Sequence, residues 1–446
     1  MCGFIAVHSR KKEIVDGFER NSKSLMRLIG RRGPDARSDF RSENLFVSHA
    51  LLAINDHVEQ PVHNDRFLVF MNGEIYNDEA LNSRNDAEWL LSFFDNEENP
   101  STLDGEFIIC SLDKERNELT VISDPFATKP CFFSYADDFI AVSSYSEPLV
   151  EAFENSVPVF EFPPNGVLKF DLSNYKILSF HENIEWDFNP RKNDFQDWNE
   201  AFSNSVRKRA KTDKGIFLGL SSGYDSGLIV SELLSQEISF DSYSIMGSEN
   251  VKTLEDRMTI VNESNFSNAN LVRYDKRRYD LHFQFIQRNS SNYPYTDVYG
   301  RLYEWMLRDK AAVGLSMICE DAKKTGAKIY LSGQGADEIF SDYSTQEPLH
   351  GTIRGNYSGV REKWVNFDRG FQRNFLSKEE RIPGAWGIEA RYPFLDRFVV
   401  QEFLWLNDEL KNCEYKQCLA QRLRMNNFPF VKNEKCGFNP LKNLEV

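Results

Sequence analysis

The stretch LSSGYDSGLI (residues 220–229) follows the apolar run GIFLGL (215–220) and runs into SGLIVSELLSQ (226–236). The first run reads as a buried strand and the second as a helix, so the serines and glycine between them form a strand-to-helix turn. In an open parallel sheet, ligands bind at the carboxyl ends of strands. Backbone N–H groups and serine hydroxyls at a helix start favour an anion, and phosphate is the expected guest. The turn lacks the G-x-x-x-x-G-K-[ST] spacing and the lysine of a Walker A loop.

A second turn of this kind lies at YLSGQGADEIFSDY (330–343), where small residues end a strand and Asp337 and Glu338 open a helix. Two such turns on one sheet converge on a single nucleotide, with Asp225 and Asp337 sharing magnesium on its pyrophosphate oxygens. FDSYSIMG (240–247) and AKIYLSG (327–333) read as further strands, and DWNEAFSNSVRKRAK (197–211) as a helix. Strands alternating with helices imply an α/β doubly wound parallel sheet.

The first 180 or so residues have another texture. FLVFMNGEIYN (67–77), GEFIICSLD (105–113), ELTVISD (118–124), DFIAVSS (138–144) and NGVLKFDL (165–172) are apolar segments separated by turn residues, the pattern of stacked antiparallel sheets. HENIEWDFNPRKNDFQDW (181–198) is polar and without apolar period, and reads as a linker. Two domains are expected, over residues 1–185 and 195–446, as suits a chain of 446 residues.

The composition is that of a folded soluble enzyme, with 41% hydrophobic and 27% charged residues. A formal net charge of -15 opposes an extensive nucleic-acid surface. The seven cysteines are scattered, with no C-x-x-C pair, which argues against a zinc site and for a reducing compartment. No apolar signal core or membrane span is apparent, and the expected location is the cytoplasm.

Cys2 follows the initiator directly. Removal of Met1 leaves a residue with a thiol and a free α-amine, whose pKa of about 7.7–8.0 suits it to accept the thiol proton. Nucleophile and base then sit on one residue.

The turn at Ser221, Gly223, Asp225 and Ser226 resembles the S-G-G-x-D-S loop of ATP pyrophosphatases, with Ser222 in place of the first glycine. Cys2, with RRGPDARS (31–38), MNGEIYN (71–77) and RNDAEW (84–89), resembles the class II glutamine amidotransferase domain, an α+β N-terminal-nucleophile hydrolase. The order of these pieces, with WGIEARYPFLD (386–396), EYKQCLAQRLR (414–424) and KCGFNPL (435–441), resembles the glutamine-hydrolysing asparagine synthetase family. That resemblance implies that Cys2 carries a glutamyl thioester, that the Asn72 side chain and Gly73 N–H form the oxyanion hole, and that Glu74 and Asp86 hold the glutamine α-amine. It further implies that Ser221, Gly223, Asp225, Ser226, Ile245 and Gly333 bind ATP, that Asp225 and Asp337 bind Mg2+, and that Lys416 stabilises charge during acyl adenylation. A homodimer and an internal ammonia channel are family expectations.

Two positions depart from the family pattern. Leu51 stands where an arginine pairs with the glutamine α-carboxylate, and loss of one partner of such a buried pair costs about 2–5 kcal/mol. Arg32 or Arg84 is a compensating cation, or ammonia replaces glutamine as nitrogen source. Gln334 stands where a glutamate is usual, and an amide cannot take the proton released as ammonia becomes an amide. Glu338 or the departing phosphate is an alternative acceptor. Amidation of aspartate leads, followed by amidation of another carboxylate, with residues 289–316 contributing to acceptor recognition. A non-catalytic homologue is opposed by the retained chemical groups. A tRNA-modifying ATP pyrophosphatase leaves WGIEARYPFLD unexplained.

Overall fold

The computed structural model describes all residues except 1, 56, 84, 293–294, 297–301, 304–308, 342–355 and 435–446. Arg84, the KCGFNPL segment and much of the 289–316 region therefore lie outside the described residues. The chain divides into two compact units, residues 1–185 and 186–446.

The described residues of the first unit form twelve strands: β1 (Gly3–Ser9), β2 (Ala36–Arg41), β3 (Leu45–Leu51), β4 (Val62–His63), β5 (Phe67–Ile75), β6 (Gly105–Asp113), β7 (Glu118–Ser123), β8 (Phe132–Ala136), β9 (Phe139–Ser143), β10 (Phe160–Glu161), β11 (Gly166–Asp171) and β12 (Lys176–Glu182). They form two six-stranded sheets, ordered β10-β8-β9-β1-β3-β2 and β12-β11-β7-β6-β5-β4. The adjoining strands run antiparallel, as expected for stacked sheets.

Side chains alternate across a strand, so each β5 residue faces one layer or the other. Leu68 and Phe70 enter the core between the sheets with Phe4, Ala6, Val47 and Ile108. Val69 and Met71 enter a second core, where the helix Asp86–Asp95 supplies Leu90 and Phe93. The edge-on contact of Phe4 with Phe70, 5.0 Å between ring centroids, joins the two sheets near the amino terminus.

The second unit carries β13 (Gly215–Gly219), β14 (Asp241–Ser244), β15 (Asn268–Leu271), the short antiparallel pair β16 (Tyr295–Thr296) and β17 (Leu302–Tyr303), β18 (Ala327–Leu331) and β19 (Glu389–Arg391). The main sheet has the order β15-β14-β13-β18-β19, with every neighbouring pair parallel. After β13 the chain builds outward on one side through β14 and β15, then returns to place β18 on the other side. The carboxyl ends of β13 and β18 therefore flank the topological switch point, where a crevice opens between outgoing loops. Both turns singled out in the sequence leave these two ends.

Residues from Trp186 onward are fastened within the second unit. Trp186 packs edge-on to Phe367, and the Asp187 carboxylate accepts a bond from the Trp405 indole at 2.8 Å. The first helix of this unit starts at Gln196 and buries Trp198 and Phe202 against Phe340 and Phe394.

Candidate functional site

In the first unit, Cys2 and Phe4 are two residues apart, as are Phe70 and Asn72, so all four project from the faces that meet between the sheets. Cys2 is buried, with Sγ 4.0 Å from the Leu52 carbonyl. Asn72 has no exposure, and neither its Nδ2 nor its Oδ1 finds a hydrogen-bond partner among the described residues. Leaving a buried amide unpaired costs about 1–3 kcal/mol. Gly73 follows with φ +129°, and a Cβ there would meet the Glu106 carbonyl oxygen at 1.9 Å. Only glycine fits that turn of the backbone.

Glu74 is buried and accepts a bond from Asn55 Nδ2 at 3.0 Å. Asp86 begins its helix, and its carboxylate accepts the N–H groups of Ala87 and Ile75 at 2.9 and 3.3 Å. Gly3 pairs with Ala50, so extending the β1–β3 register by one residue sets Leu51 opposite Cys2. Leu51 is buried there and offers no charge. Arg32 lies beside Cys2. Fully buried, it donates from Nε to the Cys2 carbonyl at 2.9 Å and from Nη1 to the Tyr145 hydroxyl at 2.9 Å.

In the second unit, the loop after β13 is drawn tight by its own hydroxyls. Ser221 Oγ lies 2.8 Å from Ser226 Oγ and accepts the Gly223 N–H at 3.1 Å. From outside the loop, Arg257 donates to the carbonyls of Ser221 and Gly223 at 2.5 and 2.7 Å. Gly223 caps the helix Tyr224–Ser235, so Asp225 and Ser226 fall in its first turn. The cavity over the switch point measures about 380 Å³, and Ser221, Asp225, Ser226, Gly333, Gln334 and Asp337 line it. Gly223, Ile245 and Lys416 stand outside the lining. Ile245 is buried just beyond the end of β14.

Lys416 ties the two loops together. Its side chain is 1% exposed, and its Nζ stands 2.5 Å from Asp225 and 2.7 Å from Asp337. Burial pulls its pKa down, but the two carboxylates outweigh burial and hold it well above the ordinary lysine range. The Tyr415 hydroxyl donates to the same Asp337 oxygen at 3.1 Å. Lys416 precedes the helix Gln417–Met425, whose Arg422 bonds the fully buried Glu232 at 2.9 Å. Glu232 belongs to the helix of Asp225, so one ion pair fixes both ends of the Lys416 constellation.

Several groups at these sites escaped the sequence. His49 Nε2 bonds the Met71 carbonyl at 3.1 Å, linking the two sheets one residue before Asn72. Glu249 accepts both the N–H and the hydroxyl of Ser222, at 2.5 and 2.6 Å, so a carboxylate engages the anion loop itself. Asp309, Lys378 and Glu379 line the cavity beside Gln334. The last two come from a charged stretch, SKEER (377–381), that is buried throughout. A charge run in sequence signals solvent, and only the fold shows otherwise.

Comparison with known proteins agrees with this two-part geometry. Residues 1–185 match the glutamine amidotransferase domain model, and residues 197–366 match the asparagine synthase model. Asparagine synthetase B [glutamine-hydrolyzing] of Escherichia coli (strain K12) is 24% identical over 450 residues, covering 93% of this chain and 76% of the relative. A putative asparagine synthetase [glutamine-hydrolyzing] 1 of Methanocaldococcus jannaschii is 24% identical, covering 83% and 71%. A probable asparagine synthetase [glutamine-hydrolyzing] of Schizosaccharomyces pombe is 24% identical, covering 92% and 77%. With both domain models matched in succession and such relatives aligned along most of its length, the chain belongs to the glutamine-hydrolysing asparagine synthetase family.

Proposed function

We propose that this protein is an ATP-dependent, AMP-forming amidotransferase that releases ammonia from glutamine at Cys2 and uses it to amidate an adenylated carboxylate, with aspartate as the acceptor. The observation that carries the reading is Lys416 buried between Asp225 and Asp337 at the switch point. A fixed cation flanked by two carboxylates suits the transfer of a nucleotidyl group, where charge moves between phosphate oxygens.

At the first site, loss of Met1 frees the Cys2 amine to take the thiol proton, and the thiolate attacks the glutamine amide carbon. The unpaired Asn72 amide supplies an oxyanion donor, and Arg32 supplies the positive charge that Leu51 does not. At the second site, the acceptor carboxylate attacks the α-phosphorus of ATP, and pyrophosphate leaves toward Ser221, Ser226 and Lys416. Ammonia then displaces AMP from the acyl carbon.

Among the described residues no group of three or more His, Cys, Asp or Glu side chains is placed to hold a metal ion. Asp225 and Asp337 would hold Mg2+, an ion that needs only one or two carboxylates from the protein. Bound there, Mg2+ would supply positive charge against pyrophosphate. We place the reaction in the cytoplasm, in keeping with unbridged cysteines such as Cys110, Cys319 and Cys418. No described helix is long and apolar enough to cross a membrane. The functional unit we propose is a homodimer acting on small molecules rather than nucleic acid.

A second reading, amidation of another carboxylate, is favoured by the Gln334 amide in the acceptor cavity. The test follows AMP, pyrophosphate and asparagine from Mg-ATP and aspartate, with glutamine or ammonium, beside Cys2→Ala. Asparagine from both nitrogen sources, with only glutamine-driven product lost in Cys2→Ala, is the expected result. Absence of aspartate-dependent AMP with either source turns the assignment to another acceptor.

A further inference from the structure

When ammonia attacks an acyl-adenylate, the new C–N bond leaves the nitrogen with a surplus proton. That proton must go to a base as the C–O bond to AMP breaks and AMP departs with the electron pair. Gln334, at the mouth of the second loop, cannot receive it. The amide offers hydrogen bonds only.

The carboxylates around the cavity differ in their existing engagements. Asp225 and Asp337 share Lys416. Glu338 is 1% exposed and accepts the Gly335 N–H at 3.1 Å, at the amino-terminal end of its own helix. Asp309 caps the helix Lys310–Lys324 through the Ala311 N–H at 2.9 Å and pairs with Lys378 at 2.8 Å. Glu379 is engaged more weakly. Among the described residues it pairs with Lys378 at 3.9 Å and accepts from the hydroxyls of Ser332, at 3.0 Å, and Tyr330.

Ser332 connects Glu379 to Gln334. Its Oγ donates to the Glu379 carboxylate and accepts the Gln334 N–H at 3.1 Å. Gln334 Nε2 is itself buried, with no hydrogen-bond partner among the described residues. A donor without a partner and a carboxylate thus meet at one cavity wall, joined through a single hydroxyl.

We propose that Glu379 is the general base of the amidation step and that the Gln334 amide donates to the acyl oxygen as it becomes an oxyanion. The work of one glutamate is thereby divided between two side chains. The assignment rests on the adenylation and amidation proposed above. Burial raises the proton affinity of Glu379 above that of an ordinary glutamate, while Lys378, Ser332 and Tyr330 oppose the shift and Asp309 adds to it. Cys319 also lies near it, and burial holds that thiol protonated. A carboxylate so placed takes a proton readily and, as a hydroxyl-bonded anion, returns to the charged state between turnovers.

The experiment measures two half-reactions in the full chain, with Mg-ATP, aspartate and ammonium chloride. Aspartate-dependent exchange of pyrophosphate into ATP reports adenylation, and asparagine reports amidation. In Glu379→Gln, exchange is expected within about threefold of the parent, while asparagine formation falls by about 10²- to 10⁴-fold, the usual range for a lost general base. Hydroxylamine in place of ammonium is expected to restore product to within roughly tenfold, because its less basic nitrogen surrenders the proton to water.

Retention of both half-reactions, or their loss in equal proportion in a folded Glu379→Gln, overturns the assignment. Should that variant fail to fold, Ser332→Ala decides, because it removes only the orienting hydroxyl. Amidation there is expected to fall roughly twofold to tenfold with exchange unchanged, the effect of one lost hydrogen bond. Unchanged amidation overturns the proposal. A parent that forms no AMP with aspartate overturns the aspartate reading and this assignment with it, and is distinguished by failing before any substitution is made.

Discussion

Gly333 approaches Asp225 so closely that a Cβ on the glycine would stand 2.9 Å from the aspartate Cβ. The two loops that leave β13 and β18 are therefore in backbone-level contact, and the carboxylate of one is positioned by the absence of a side chain on the other. Gly333→Ala is expected to fold, because the strain is confined to one contact. Asp225 must then shift by tenths of an ångström relative to Lys416. Misplacement on this scale at a reacting centre is costly, and ATP-dependent AMP formation is expected to fall at least about tenfold. A thermal melt measures the fold and a pyrophosphate-release assay the activity.

Lys416 answers two carboxylates while almost wholly buried. Lys416→Met keeps the volume and removes the charge, leaving Asp225 and Asp337 to repel each other. Breaking a buried pair from one side costs about 3–5 kcal/mol. Millimolar Mg2+ supplies the missing positive charge and is expected to raise the melting temperature of this variant more than that of the parent. Equal magnesium responses in the two proteins would contradict the placement of a divalent cation at these carboxylates.

At the first site, stability and activity are expected to part company. The Asn72 amide is buried with both polar atoms unpaired among the described residues. Asn72→Leu replaces it by an apolar group of similar size, so stability is expected to hold or rise, by up to about 1–3 kcal/mol. Glutamine-dependent product is expected to fall about 10²- to 10³-fold, as for loss of an oxyanion donor. Ammonium-dependent product is expected to be unchanged. A destabilised Asn72→Leu would show that this amide has a structural partner.

The architecture was legible where local pattern and loop chemistry coincide. GIFLGL and AKIYLSG announce β13 and β18, and the turns after them carry Asp225 and Asp337 into the cavity. The alternation of β5 likewise sends Asn72 inward with Phe70. What stayed hidden depends on distant pairing. Lys416 and Asp225 lie 191 residues apart, and Ser332 and Glu379 lie 47 apart. Lys378 and Glu379 sit within consecutive charges that local pattern assigns to solvent, yet packing against the sheet buries them. His49 was concealed for another reason: its bond to Met71 crosses between sheets, and strand periodicity reveals which face a residue takes but not what faces it.

That same histidine makes the first unit sensitive to acid. Burial lowers the pKa of His49 from 6.5 to about 4, with the Met71 carbonyl bond opposing the shift and the amino-terminal charge adding to it. Burial brings His8 to about 4 as well. Between pH 6.5 and 4 the unfolded chain binds protons that the folded imidazoles refuse, so each histidine removes about 1.4 kcal/mol of stability per unit fall in pH. Asp124 acts in the opposite sense. Burial raises its carboxyl from 3.8 to about 6, against the bonds it accepts from Thr128, Phe126 and Phe107, so the folded state gains a proton between those values and acid favours it there. Stability is therefore expected to fall steeply from pH 6.5 to 6 and about half as steeply from pH 6 to 4. His49→Gln is expected to halve the first slope and nearly abolish the second. Hydrogen exchange of the β1 and β3 amides in the full chain, corrected for the intrinsic pH dependence of exchange, measures both slopes. Equal slopes in parent and variant would assign the acid sensitivity to groups other than His49.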